Sequence, residues 1–179
     1  LQINRNNMVQ MTSFDIAHQI DNSISNRNLT VSYDNFIKGA KKDKSSKIKG
    51  LWGDVFGGNS RQDTREQESG YDSKFGGVTF GFDDILASDQ FNHILGGAIS
   101  YGQAQANDRS ISNQETNIDA YQLSLYNYNV GNREAGLFNE NLVSLGYNRY
   151  DSSRSIAVNN CNARAKSEFS AMQYGVKTG

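Results

Sequence analysis

The stretch Val78-Thr79-Phe80-Gly81-Phe82-Asp83 places apolar residues at even positions and small or polar residues at odd positions. Successive side chains of a β-strand point to opposite faces, so this period of two indicates a strand between two different environments. The same alternation recurs in residues 93–103, 120–125 and 143–148. Residues 51–58 and 171–176 are two further candidates, of which 51–58 is the less clear. We therefore predict about six antiparallel strands between residues 48 and 176.

The two predicted faces of this sheet differ in chemistry. The apolar face, which we predict to contact lipid, comprises Val78, Phe80, Phe82, Leu95, Ile99, Tyr101, Leu123, Leu125, Val143, Leu145 and Tyr147. The opposite face, which we predict to line a narrow polar lumen, comprises Gly77, Thr79, Gly81, Gly96, Ala98, Ser100, Gln122, Ser124, Ser144 and Gly146. Small polar residues suit such a lumen better than they suit an open, solvated face, which would carry more Lys and Glu.

Two further features favour a transmembrane β-barrel. Tyr and Phe residues lie near the predicted strand ends, where an interfacial aromatic girdle is expected. The polar connections at 59–69, 107–115 and 151–165 are longer than those at 84–90 and 129–134, and long loops on one side with short turns on the other are typical of outer-membrane barrels. A soluble sheet also alternates, so a soluble or surface-exposed all-β adhesion or binding module stays the alternative.

Composition excludes several classes of protein. No run of about 18 apolar residues is present, which excludes a transmembrane helix, whereas a mean hydropathy of −0.67 is compatible with membrane-spanning strands. The net charge of −1 and pI of about 6.1 argue against a nucleic-acid partner. Cys161 is the single cysteine, so neither an intrachain disulfide nor a thiolate zinc site can form. We predict no cofactor and no metal.

One helix is predicted ahead of the strands, over residues 8–24. Its apolar residues are spaced by three or four positions, at Met11, Phe14, Ala17, Ile20 and Ile24. We divide the chain into a lumenal helix segment (1–27), a lysine-rich linker (28–47) and a partial barrel (48–179). The fold class is thus an all-β antiparallel transmembrane barrel segment that follows one lumenal α-helix.

The order of these pieces resembles the translocator domain of autotransporters, and most closely that of rickettsial surface-antigen autotransporters. The resemblance rests on Ile24-Ser25-Asn26-Arg27 at the helix end, Gly50-Leu51-Trp52-Gly53-Asp54-Val55-Phe56-Gly57-Gly58, Gly70-Tyr71-Asp72, and Gly76-Gly77 before the first stretch quoted above. It implies a barrel in the outer membrane of a Gram-negative bacterium, with a helix threaded through its lumen. It also implies export of an N-terminal passenger to the cell surface, with outer-membrane lipid and the barrel-assembly machinery as partners.

Six strands are roughly half of the twelve-stranded barrel that the resemblance implies. An open sheet leaves two unpaired edges in lipid, where each unsatisfied backbone group costs several kcal/mol. We therefore expect a truncated barrel, either a fragment, a split-gene product or a piece that needs a complementary half. Such a chain should not form a pore alone, and a fragment that is non-functional by itself is one interpretation.

Few residues are candidates for chemistry, and we predict that the chain is not an enzyme. Some relatives release the passenger by cleavage between two asparagines of the lumenal helix, and Asn6-Asn7 stands at about that place. The dipeptide is common in an Asn-rich chain, so a polar helix start is the simpler interpretation.

The remaining candidate residues favour structural roles. His18 and His93 are the only histidines, and no nucleophile lies in a catalytic sequence context. Asp15 and Asp54 are expected to face the lumen and to meet basic residues such as Arg27.

Overall fold

The computed structural model describes residues 5–39, 50–64, 70–87, 91–109, 114–131, 138–158 and 161–179. Within them, one helix precedes six strands: α1 (Arg5–Gly39), β1 (Gly50–Gln62), β2 (Tyr71–Ala87), β3 (Phe91–Asp108), β4 (Gln114–Gly131), β5 (Phe138–Val158) and β6 (Cys161–Thr178). The strands contain 13 to 21 residues. They exceed the usual five or six residues of strands in globular proteins and the roughly 9–11 residues that cross a bilayer.

The strands form a single sheet in which sequence order is also spatial order, from β1 to β6. Every neighbouring pair is antiparallel. Each strand thus pairs with the strands that precede and follow it, which is the arrangement that short local connections favour. β1 and β6 form the two edges of the described sheet. The predicted fold of six antiparallel strands after one helix is confirmed.

The alternation along the strands gives the sheet two unlike faces. In β4, Tyr121, Leu123 and Leu125 are 50%, 53% and 64% exposed on one face, whereas Gln122 and Ser124 are buried on the other. Helix α1 packs on the side of the buried residues and contacts β1 to β5. We call the face that α1 covers the inner face and the opposite one the outer face.

Three rows of directly paired residues make the outer face apolar. From β1 to β6 the rows are Val55, Val78, Tyr101, Tyr121, Tyr147 and Met172; Gly53, Phe80, Ile99, Leu123, Leu145 and Tyr174; and Leu51, Phe82, Gly97, Leu125, Val143 and Val176. We call these rows the outer band. Polar residues bound it on both sides, among them Asp119 and Arg149 beyond the first row and Asn127 and Asn141 beyond the third.

Helix α1 lies on the sheet through a stripe of residues spaced by three or four positions. The buried stripe comprises Met8, Thr12, Ile16, Ile20, Ile24, Asn28 and Val31. Two of the apolar residues whose spacing predicted the helix, Met11 and Phe14, lie outside this stripe and are 50% and 57% exposed. The reason is that the inner face is built of small polar residues, so it accepts Thr12 and Asn28, and apolar spacing does not mark the contact.

The helix is also longer than predicted, since it begins at Arg5 and ends at Gly39 rather than covering 8–24. Its second half therefore includes residues 28–39, which were expected to belong to a linker. This half is held through polar side chains, among them Ser25, Arg27 and Asn28, and such contacts leave no hydrophobic period in the sequence. The division of the chain into helix segment, linker and barrel domain stays a prediction, and residues 40–49 lie outside the described part.

In the connection predicted at 151–165, residues 151–158 and 161–165 are strand rather than loop. β5 and β6 pair without interruption as far as Val158 and Cys161, whereas pairing of β4 with β5 ends at Gln114 and Arg154. The β5–β6 hairpin thus projects beyond β4 by roughly 14 Å, at about 3.4 Å per residue. Among the side chains described there, Ser155 and Arg164 on one face and Ala163 on the other are all exposed, so this part of the sequence lacks the alternation that identified the other strands. The predicted loops at 59–69 and 107–115 likewise begin within strands, which extend to Gln62 and Asp108.

Candidate functional site at the helix–sheet interface

The structure separates the two predicted sets of side chains by face. Every residue predicted to line a lumen lies on the inner face, where Thr79 and Ser124 are completely buried. Every residue predicted to contact lipid lies on the outer face, where Ile99 and Leu125 are 63% and 64% exposed. The assignment of these two faces to lumen and lipid stays a prediction.

Two glycines of the inner face provide space for aromatic rings of neighbouring strands. Trp52 opposes Gly81 across the β1–β2 ladder, and Tyr126 opposes Gly96 across the β3–β4 ladder. A Cβ atom at Gly81 would overlap the indole ring, and one at Gly96 would overlap the Tyr126 ring. Both rings therefore lie flat across the backbone of the next strand and extend along the inner face.

An ion pair connects α1 to the wall on the β2 side. Nε and Nη2 of Arg27 donate to Oδ2 and Oδ1 of Asp83 at 2.9 and 3.1 Å. The side chain of Asp83 is completely buried and that of Arg27 is 19% exposed. The Tyr126 hydroxyl donates to Asp83 Oδ2 at 3.3 Å, and Trp52 Nε1 donates to that hydroxyl at 2.9 Å. This network, which we call the β2 anchor, joins α1 to β1, β2 and β4. Two hydrogen bonds from one guanidinium make it directional as well as ionic.

A second carboxylate binds α1 on the β5 side. Ser25 Oγ and Asn28 Nδ2 donate to Glu140 Oε1 at 2.9 and 3.1 Å. Lys177 Nζ lies 3.0 Å from Glu140 Oε2 and donates to Ser25 Oγ at 2.6 Å. The side chain of Glu140 is only 10% exposed. We call these four residues the β5 anchor, because Glu140 is their common partner.

Contacts nearer the start of α1 define its direction along the sheet. Ser13 Oγ lies 3.0 Å from the Tyr150 hydroxyl in β5, whereas the later residue Ser25 contacts Glu140 near the beginning of that strand. Gln122 Nε2 donates to Asp21 Oδ1 at 3.1 Å between these two points. Helix α1 is therefore antiparallel to β5 and, by the sheet topology, to β1.

The polar contacts of this interface hold a helix against the sheet. His18 is exposed, and His93 Nδ1 lies 2.6 Å from Asn129 Oδ1. In the described part of the chain, no three His, Cys, Asp or Glu side chains group as metal ligands would. Nor does any helical segment described here combine the length and hydropathy of a membrane-spanning helix.

The two aspartates that were expected to meet Arg27 do not pair with it. Asp54 is exposed and Asp15 is partly exposed, and the partner of Arg27 is Asp83 rather than either of them. Asn6 and Asn7 lie in the first turn of α1, and Cys161 begins β6. The side chains of these last three residues lie outside the part that the structure describes.

Sequence reasoning missed the residues that hold the helix, namely Asp83, Tyr126, Glu140 and Lys177. A usable signal was present, because Asp83 and Glu140 occupy the same alternation phase as the small residues Thr79 and Ser144. A carboxylate in a lumen-facing phase requires a cation or several donors, since an unpaired buried charge is costly. That rule predicts a partner for each carboxylate without saying which residue supplies it.

Comparison with known proteins adds the following findings. The family model described as "Autotransporter beta-domain" matches residues 51–179. Among solved structures, the chain is similar to the one titled "Crystal Structure of the Beta Domain of the Bordetella Autotransporter Brka", with a TM-score of 0.51 and 18% sequence identity. That match covers 73% of this chain and 49% of that chain, so this chain spans about half the length of the solved domain. A likeness at this identity concerns the fold alone. A comparison with curated proteins found no match.

Proposed function

Because the chain belongs to the autotransporter β-domain family, we propose that it is part of a translocator, a barrel wall that anchors in the outer membrane of a Gram-negative bacterium. In this role it helps to export an N-terminal passenger to the cell surface. The observation that carries the proposal is the contrast between an exposed apolar outer face and a small, polar inner face with a helix lying on it. A translocator is a transport domain and not an enzyme.

The dimensions of the outer band support contact with lipid. Its polar boundaries in β4, Asp119 and Asn127, lie roughly 27 Å apart along the strand at about 3.4 Å per residue. At a strand tilt of about 40°, this distance spans roughly 21 Å along the bilayer normal, close to the ~25 Å apolar belt of outer-membrane barrels. Three tyrosines, Tyr101, Tyr121 and Tyr147, lie in the row next to one boundary, and the Tyr101 hydroxyl donates to Asp119 at 2.9 Å. That geometry suits the membrane interface.

The direction of α1 supports a place in the lumen. A passenger would precede α1 in the sequence, so it would leave the barrel at the end where Ser13 contacts Tyr150. The opposite end, where Ser25 contacts Glu140, would face the periplasm. β1 begins at Gly50, which pairs with Asp83 of the β2 anchor at that same end. The first strand would therefore run outward from the periplasm.

The proposal includes partners for the sheet edges and for assembly. β1 and β6 are edges of the described sheet, and unpaired edges are costly in lipid. We propose that further strands complete the barrel, supplied by the same polypeptide or by a complementary piece. Outer-membrane lipid, the barrel-assembly machinery and the passenger are the proposed partners. The motif order supports placing the chain near the rickettsial surface-antigen group.

No bond chemistry is assigned to the chain. Asn6-Asn7 could serve passenger release only if the first side chain attacked its own backbone carbonyl. We propose instead that both residues begin α1. The passenger is then expected to stay covalently joined to the barrel after export, as a single band on a denaturing gel. A released passenger whose C terminus is Asn6 would contradict this assignment.

The role is tested by expressing the full-length protein in a Gram-negative host. The passenger should become sensitive to protease in intact cells, and the barrel should need detergent and show heat-modifiable migration. The adhesion-module alternative predicts a different result, since a soluble β-sandwich is monodisperse in plain buffer and unfolds cooperatively on heating. Such behaviour, with no passenger at the surface, would overturn the translocator role.

A further inference from the structure

We propose that Glu140 and Lys177 form a latch that makes docking of α1 depend on the pairing of β6 with β5. The inference rests on the proposed function, in which α1 occupies the lumen of a barrel wall. It goes beyond that function because it assigns to two wall residues a role in deciding when the helix is held. Within the described residues, α1 and β6 meet where Lys177 donates to Ser25, since the packing of α1 otherwise involves β1 to β5.

Glu140 is bound to the end of β6 through both its backbone and its side chain. Its N–H donates to the Gly179 carbonyl at 2.7 Å, and the Gly179 N–H donates back to the Glu140 carbonyl at 2.9 Å. Lys177 opposes Leu142 in the ladder and reaches the Glu140 carboxylate at 3.0 Å. Separation of β6 from β5 would therefore remove two backbone hydrogen bonds and the cation from one residue.

The carboxylate of Glu140 needs that cation in order to hold α1. Its other partners, Ser25 and Asn28, are neutral, and its side chain is 10% exposed. Asp21, one helical turn before Ser25, interacts unfavourably with the charge of Glu140 and favourably with that of Lys177. Without Lys177, docking of α1 would bring two carboxylates together on the inner face, and an uncompensated charge of this kind is strongly destabilising.

The β2 anchor does not involve β6, because Arg27 pairs with Asp83 of β2. Before β6 pairs, α1 is held by the β2 anchor and by the contacts of Ser13 and Asp21 with β5 and β4, but its second carboxylate attachment lacks the cation. Pairing of β6 delivers Lys177, neutralises Glu140 and closes the second attachment. The latch thereby couples completion of the sixth strand to immobilisation of the helix.

Thiol labelling of the full-length protein in lipid vesicles tests the latch. Cys161 is replaced by Ser, any cysteine elsewhere in the protein is removed, and Ser23→Cys places a nearly isosteric thiol at a position that is 4% exposed. The reagent is a water-soluble maleimide. Added to this Ser23→Cys background, Lys177→Met should raise the labelling rate about tenfold or more. Lys177→Arg should leave the rate close to that of the background. Lys166→Met is the matched control, because Lys166 is an exposed lysine of the same strand.

A double variant separates charge compensation from simple loss of packing. Glu140→Gln combined with Lys177→Met removes both charges, so labelling should fall well below that of Lys177→Met alone. Heat-modifiable migration verifies that each variant has assembled. If Lys177→Met labels no faster than the Ser23→Cys background, or if the double variant labels as fast as Lys177→Met, the latch is wrong. Rapid labelling of the Ser23→Cys background would overturn the lumenal helix itself. A passenger that is exported, together with a labelling rate that Lys177→Met does not change, would overturn the latch alone.

Discussion

Trp52 in β1 donates a hydrogen bond of 2.9 Å from its indole Nε1 to the hydroxyl of Tyr126 in β4, across two intervening strands. The two rings meet edge to face, with centroids 6.4 Å apart and planes inclined by 62°. This reach requires Gly81 and Gly96, because a Cβ atom at either position would overlap one of the rings. Backbone ladders join only adjacent strands, so this side-chain bridge, which is part of the β2 anchor, adds a link across the inner face between strands that are not neighbours.

Replacement of Gly96 by Ala should destabilise the wall by about 1–3 kcal/mol, because the added methyl group displaces the Tyr126 ring and breaks the bridge. Urea unfolding in detergent, followed by the heat-modifiable gel shift, measures the change. Gly97→Ala is the control, since Gly97 faces outward and its Cβ would lie 3.4 Å from Leu125, an ordinary contact. Equal effects of the two substitutions would show that the space over Gly96 is not specifically needed.

Asp83→Asn should loosen α1 and destabilise the assembled protein by about 3 kcal/mol, because it leaves the Arg27 guanidinium largely buried without its counter-charge. The rate of thiol labelling at Ser23→Cys reports the helix, and the gel shift reports the wall. Asp54→Asn provides the comparison, as Asp54 is exposed and its carboxylate is not the partner of Arg27. A labelling rate that is the same for Asp83→Asn and Asp54→Asn would contradict the β2 anchor.

The strand pattern was predictable because each residue's polarity reflects the face on which it lies. Leu123 and Leu125 against Gln122 and Ser124 reveal the alternation within a few residues of sequence. The contact face of α1 was not predictable from apolar spacing, since the helix rests on a polar wall that buries Thr12 while Met11 stays exposed.

Ion pairs between residues far apart in the chain could not be predicted from the sequence either. Arg27 and Asp83 are 56 residues apart. Their ion pair depends on the register of β2 and on the position of α1 along the inner face. Neither the strand register nor the helix position can be deduced from the residues next to Arg27 or Asp83. The projecting part of the β5–β6 hairpin was missed for a related reason, because solvent on both faces removes the alternation beyond Arg154.

Leu123→Arg should cost about 2–4 kcal/mol in lipid, because Leu123 lies in the middle row of the outer band, where a charged side chain would face the bilayer interior. Unfolding from lipid vesicles measures the loss. Asn117→Arg on the same strand and face lies beyond the polar boundary and should cost no more than about 1 kcal/mol. If Arg is tolerated equally at both positions, the outer band does not contact lipid.

Shortening the projecting hairpin should leave assembly unchanged. The β5–β6 pairs from Ile156–Ala163 to Val158–Cys161 lie beyond the last pair that β5 forms with β4, so a two-residue turn in place of residues 156–163 removes none of the described backbone pairs between β4 and β5. The heat-modifiable shift and the vesicle-bound fraction should match those of the complete protein. Loss of assembly would mean that the hairpin contributes to the wall or to its recognition during insertion.

The most direct test of a wall with one face in lipid and one in the lumen is a spin-label scan along residues 120–126 of β4. Each single-cysteine variant, with Cys161 replaced by Ser, is reconstituted in vesicles and measured for collision with lipid-dissolved oxygen and with a water-soluble nickel complex. We predict a period of two, with oxygen contact highest at Tyr121, Leu123 and Leu125 and low at Gln122 and Ser124. Equal access of the nickel complex to both sets, or no period at all, would contradict it.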